Sequence, residues 1–97
     1  MRNNLSLAKA FVMKTDCDVG LHYFNGEKPT LKEMQKIVGG NIELVHLSMS
    51  EIMVVNEEGL LREFEMNESA MQYHRKYLMS DISIFGTVFV IDSNLID

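Results

Sequence analysis

The sequence predicts an α+β fold: a mainly antiparallel sheet of about six strands with two helices on one face, in the order ββαβββαβ. Three observations lead there. Short apolar runs near residues 5–13, 20–24, 41–47, 52–55, 60–65 and 82–91 are strand-like and separated by turn residues. Two other segments, 30–38 and 67–78, each open on a helix-capping residue. A chain of 97 residues, 46% hydrophobic and 24% charged, suits one core and no second, so residues 1–97 are read as a single domain.

The first strand, Leu5 to Met13, ends at the polar cluster Thr15-Asp16-Cys17-Asp18, and Gly20 to Phe24 returns as the second. Asn25-Gly26-Glu27-Lys28-Pro29 is a loop, since Lys28 before proline is pushed toward extended geometry. Thr30 and Glu33 then have the spacing of a capping box, in which each side chain accepts the other's backbone N–H. Leu31, Met34, Ile37 and Val38 share a face behind it, and Gly39 supplies the left-handed residue that ends the helix.

Asn41 to Leu47 reads as a strand with one face buried. Ile52-Met53-Val54-Val55, the turn Asn56-Glu57-Glu58-Gly59 and the arm Leu60 to Glu65 read as a β-hairpin, with Gly59 supplying positive φ. Asn67 caps a second helix running to about Leu78, with Glu68 at its positive end and Arg75 and Lys76 at its negative end. Ile82 to Ile91 closes the chain as a strand in which Gly86 marks a bulge or a close backbone approach.

Four short signatures recur in this order: Ile37-Val38-Gly39-Gly40-Asn41-Ile42-Glu43 after a helix, Val54-Val55-Asn56-Glu57-Glu58-Gly59-Leu60 across a turn, Asn67 with Ala70, and Ile84-Phe85-Gly86-Thr87-Val88-Phe89-Val90-Ile91 at the end. Over residues 30–91 the chain resembles an uncharacterised domain of small proteins carried by bacteriophages, plasmids and other mobile elements. It departs from that pattern at Met66, where members commonly have proline, and over Tyr73 to Asp81. The resemblance implies a mobile-element origin with no established activity. Small phage accessory proteins often bind and disable host proteins, including restriction, BREX and CRISPR components, so it also implies a counter-defence role by analogy.

The residues themselves point away from catalysis. Gly39-Gly40 follows a helix, where carbonyl groups repel anions, so these glycines read as a cap and not a phosphate loop. Asp16-Cys17-Asp18 with His22 lacks the second Cys, the paired His or the alternating Asp pattern of a metal site. Cys17 has no histidine singled out to activate it among His22, His46 and His74. Glu57-Glu58 on a turn tip is expected to be solvated, a setting that does not suit acid–base work. No enzyme, cofactor or metal is expected.

Tyr73-His74-Arg75-Lys76-Tyr77 interleaves aromatic and basic residues, but a net charge of −5 argues against nucleic acid as a direct partner. The acidity is local. Residues 1–48 hold six Lys or Arg against five Asp or Glu, whereas 49–97 hold three against nine. Glu51, Glu57, Glu58, Glu63, Glu65 and Glu68 surround the predicted hairpin with Arg62 as the only base among them, and several of the eight methionines flank it. The reading is a contact surface for a protein partner, carried by Glu57, Glu58, Glu63, Glu65, Met66, Tyr73 and Tyr77, with Gly39, Gly40 and Gly59 as structural turns. That partner would be a host protein, such as a nucleic-acid-handling defence component. The alternative is a sponge-like small-ligand or nucleotide-binding module, in which the sheet and the Gly39-Gly40 turn hold a nucleotide or signalling molecule.

An open sheet also leaves two edges, so pairing with a second copy is expected, through the first strand or through Thr87 to Ile91. Lys9 interrupts the start before a secretory signal can build up, and the longest apolar run is far short of the roughly 20 residues of a membrane span. A cytoplasmic location with no membrane contact is the expectation, and the single cysteine fits a reducing setting.

Overall fold

A computed structural model describes residues 6–96. The chain runs β1 (Lys9–Met13), β2 (Val19–Tyr23), α1 (Leu31–Val38), β3 (Ile42–His46), β4 (Glu51–Asn56), α2 (Glu68–Tyr77) and β5 (Val88–Asp92), then a short 3₁₀ turn at Ser93–Leu95. This is the α+β class the sequence predicts. Leu5, where the first strand was expected to begin, lies outside the described residues.

The capping box forms as its spacing requires. Glu33 N–H donates to Thr30 Oγ1 at 3.1 Å and Thr30 N–H to Glu33 Oε1 at 2.9 Å. At the other end of α1, Gly39 takes φ 82° and returns its N–H to the Gln35 carbonyl. Met34 and Val38 are the buried residues of this helix, with Ile37 packed beside them.

Every strand pair is antiparallel and the sheet order is β2-β1-β5-β4-β3. Five strands form among the described residues, where about six were expected. The segment Leu60 to Glu65 is not a strand, because the chain coils there: Leu61 and Arg62 N–H both return to the Glu58 carbonyl, and Gly59 N–H to that of Asn56. Only an isolated bridge, Met66 to Phe85, remains of the expected hairpin arm. Gly59 does not take positive φ, and among the described glycines only Gly39 and Gly86 do. A side chain at Gly59 would instead meet the Phe85 carbonyl, its Cβ 3.2 Å away.

The two helices lie on opposite faces, which corrects the one-face arrangement. α1 packs Met34 and Val38 against Ala10, Ile52, Val54, Phe89 and Ile91. Ala70 of α2 packs against Met53, Val88, Val90 and Met13, which project from the other side of the same strands. Successive side chains of a strand alternate between faces, so a run that is buried throughout needs cover on both. Ile52-Met53-Val54 and Val88-Phe89-Val90-Ile91 are such runs, each residue at most 4% exposed. Burying a side chain of this size stabilises the fold by roughly 1.5–3 kcal/mol, so the central strands β4 and β5 are the energetic centre.

The order also corrects the edges. β1 and β5 are interior strands, so neither presents a free edge for pairing with a second copy; the edges are β2 and β3.

Candidate protein-binding surface

The acidic segment forms a turn pinned at both ends. At its start the buried Asn56 side chain donates from Nδ2 to the Val38 carbonyl at 3.1 Å and accepts the Glu58 N–H at 2.7 Å, fixing the turn to the end of α1. At its far end Phe64 lies over two glycines, and a Cβ at Gly86 would come within 2.8 Å of its ring. The Gly86 N–H donates to the Glu65 carbonyl at 2.8 Å, and the Thr15 hydroxyl donates to Glu65 Oε1 at 3.2 Å.

Between these anchors Glu57, Glu58, Leu60, Leu61, Arg62 and Glu63 face water. Leu60 is 75% and Leu61 83% exposed, although both are large and apolar. Arg62 turns back on its own segment, 3.9 Å from Glu58 and 5.4 Å over the Phe64 ring. That ion pair is half-exposed and contributes about 1 kcal/mol or less. The turn therefore presents two leucines inside a rim of carboxylates.

Not all the predicted contact residues lie there. Glu57, Glu58 and Glu63 line the turn, Glu65 closes it, and the half-exposed Met66 follows directly. Tyr73 and Tyr77 belong to the opposite end of the sheet. The Tyr73 hydroxyl donates to Glu51 Oε1 at 2.8 Å, and Glu51 begins the strand that Asn56 ends. At about 3.3 Å rise per residue, that puts roughly 20 Å between Glu51 and the turn. Burial first, then the bonds to Tyr77 and Glu51, push the Tyr73 hydroxyl well above the ordinary tyrosine range, so it stays protonated. Met49 and Met79 are fully exposed.

The basic and aromatic residues of α2 point in several directions. His74 is buried, Arg75 pairs with Asp81 at 2.9 Å, and Lys76 lies 5.4 Å over the Tyr73 ring. Cys17 is exposed at positive φ in the β1–β2 turn, and His22 rests edge-on to Phe24 while His46 is exposed on β3. Among the described residues no three His, Cys, Asp or Glu gather as a metal site. The space beside Gly40 is already filled: a Cβ there would lie 2.9 Å from Asn56 Nδ2 and 3.7 Å from Arg62. The Gly39-Gly40 turn thus cradles protein side chains.

Two features escaped the sequence reading. One is the exposure of Leu60 and Leu61, which the hairpin reading had assigned to a paired strand; the flanking Glu-Glu-Gly and Arg-Glu were the available signal. The other is a bare apolar strip on β1 and β2, containing Phe11, Val19, Leu21 and Tyr23. Val19-Gly20-Leu21-His22-Tyr23 lacks any charged residue, which was legible and unused.

The sequence model of a family described as a domain of unknown function (DUF3846) matches residues 12–95, and the chain belongs to this family. The match takes in β2 to β5 whole and the last two residues of β1, and so extends the resemblance read over 30–91. No curated protein and no solved structure matches the chain.

Proposed function

We propose that this member of the family is a non-enzymatic accessory protein of phage type that binds and inhibits a host protein in the cytoplasm of the host cell. The partner class that fits is a nucleic-acid-handling component of anti-phage defence, of the restriction, BREX or CRISPR kind. Such proteins carry basic surfaces, and an acidic turn is complementary to them. The observation that supports this reading is the pair Leu60 and Leu61, held out on a segment anchored at both ends and rimmed by Glu57, Glu58 and Glu63. Exposed apolar residues inside a polar rim mark contact sites, and a pre-anchored turn loses less conformational entropy on binding than a free loop.

Affinity purification from host cells tests it, with wild type compared quantitatively against the Leu60→Ser/Leu61→Ser double variant. A basic host protein should be enriched with wild type and lost with the variant. Equal enrichment with both would remove the turn from the interface.

A further inference from the structure

α2 covers only part of its face of the sheet. Beyond the helix the strip on β1 and β2 is uncovered, with Phe11 directly opposite Leu21, Met13 opposite Val19 and the exposed Lys9, the one Lys, Arg, Asp or Glu on this face of the two strands, opposite Tyr23 at its end. Phe11 and Tyr23 are 54% and 55% exposed, and Val19, Leu21 and Leu7 about half. A cleft of about 400 Å³ runs between this strip and α2, lined on the helix side by Ser69, Gln72, Tyr73 and Lys76.

We infer that this strip joins two copies of the chain face to face across a two-fold axis parallel to the strands. The area fits. With a whole aromatic side chain presenting 150–250 Å², the exposed parts of the five residues come to roughly 400 Å² of apolar surface. An interface of standard size buries about 800 Å² per partner, somewhat over half of it non-polar. The strip supplies that non-polar share, and the polar flank of α2 supplies the remainder.

The shape fits as well. A packed helix stands about 10 Å above its sheet, the same spacing at which two sheets stack. A second sheet laid on the strip therefore occupies the layer that α2 already occupies, and its edge strand β2 abuts the side of α2. Rotation about an axis along the strands makes this contact twice, each α2 meeting the other copy's β2. That axis also keeps the strand ends in register. Lys76, near the end of α2, then faces the loop after β2 that carries Glu27, an opposite charge, while no charged residue lies within β2 itself. The acidic turn follows Asn56, at the end of β4 opposite to Glu51 and the C-terminal half of α2, so the dimer presents two such turns.

Sedimentation equilibrium tests the pairing. Wild type at tens of micromolar should show about 22 kDa, two chains of 11.1 kDa, and Leu21→Glu should weaken association at least tenfold. Glu43→Lys, on the other edge strand, should leave it unchanged. A zero-length carbodiimide cross-link between Lys76 of one copy and Glu27 of the other, identified in a mixture of isotopically light and heavy chains, should form in wild type. That readout still decides the matter if Leu21→Glu fails to fold. A wild-type mass of 11 kDa up to several hundred micromolar would overturn the proposal and leave the strip to a different protein. So would a dimer unaffected by a folded Leu21→Glu variant, or the absence of the Lys76–Glu27 link.

Discussion

Tyr73 donates its hydroxyl to Glu51 at 2.8 Å, and that bond fixes the C-terminal half of α2 to the end of β4 farthest from the acidic turn. It separates two groups of residues that the sequence had placed in one surface. Tyr73 packs against the core on this face and stacks at a tilt on the half-exposed Tyr77, their ring centroids 5.4 Å apart.

Tyr73→Phe removes the hydroxyl and leaves the ring. A hydrogen bond to a partly exposed carboxylate is worth about 1 kcal/mol, so the melting temperature should fall by roughly 4–8 °C. Partner association should not change. Calorimetry together with binding kinetics checks both halves, and lost binding at unchanged stability would return Tyr73 to the interface.

Asn67 is fully buried and serves three groups at once. Its Oδ1 caps α2 by accepting the Ala70 N–H at 3.0 Å, and its Nδ2 donates to the carbonyls of Met13 at 2.9 Å and Gly86 at 2.8 Å. Losing a cap costs about 1 kcal/mol, and leaving buried carbonyls unpaired adds roughly 1–3 kcal/mol. Asn67→Ala should therefore destabilise by about 3 kcal/mol, seen as a lower denaturant midpoint at unchanged slope. A loss below 1 kcal/mol would mean that the two carbonyls find other donors.

Local signals were the legible ones. Thr30 and Glu33 announced a capping box, Gly39 a left-handed cap and Asn67 a helix start, because each depends on residues within three or four positions. What Asn67 does with its Nδ2 was not readable, since Met13 lies 54 residues away. The placement of the helices was readable in principle: β4 and β5 are apolar on both faces, and that pattern demands cover on both. The hairpin failed because a turn signal such as Asn56 to Gly59 fixes only where the chain reverses. Asn56 then holds Glu58 and Val38 together, and the following residues coil instead of extending.

Glu33 accepts the N–H groups of Thr30 and Asn25, both at 2.9 Å, and these bonds hold its carboxyl below the ordinary value of 4.5. A carboxylate with a folded pKa lowered in this way contributes stability that is present above about pH 4.5 and lost as pH falls through the lowered value. Glu33→Gln removes the titration. Thermal melts from pH 7 to pH 3 should show a stability gap between wild type and variant that is largest above pH 4.5 and shrinks in acid. A gap that stays constant over that range would show that the charge of Glu33 contributes nothing.

The central claim is that the acidic turn steers a basic host partner to Leu60 and Leu61. Exposed charges interact only within about 8 Å at physiological salt, so steering by Glu57, Glu58, Glu63 and Glu65 must weaken as ionic strength rises. The direct measurement is the association rate with the purified partner at low and high salt, for wild type and for a variant with these four glutamates replaced by Gln. Wild type should associate several-fold faster at low salt, and the variant should be slow at both salts with an unchanged melting temperature, since exposed charges add little stability. Association that ignores salt, or a variant as fast as wild type, would contradict the account and reduce the acidic turn to a solvated surface.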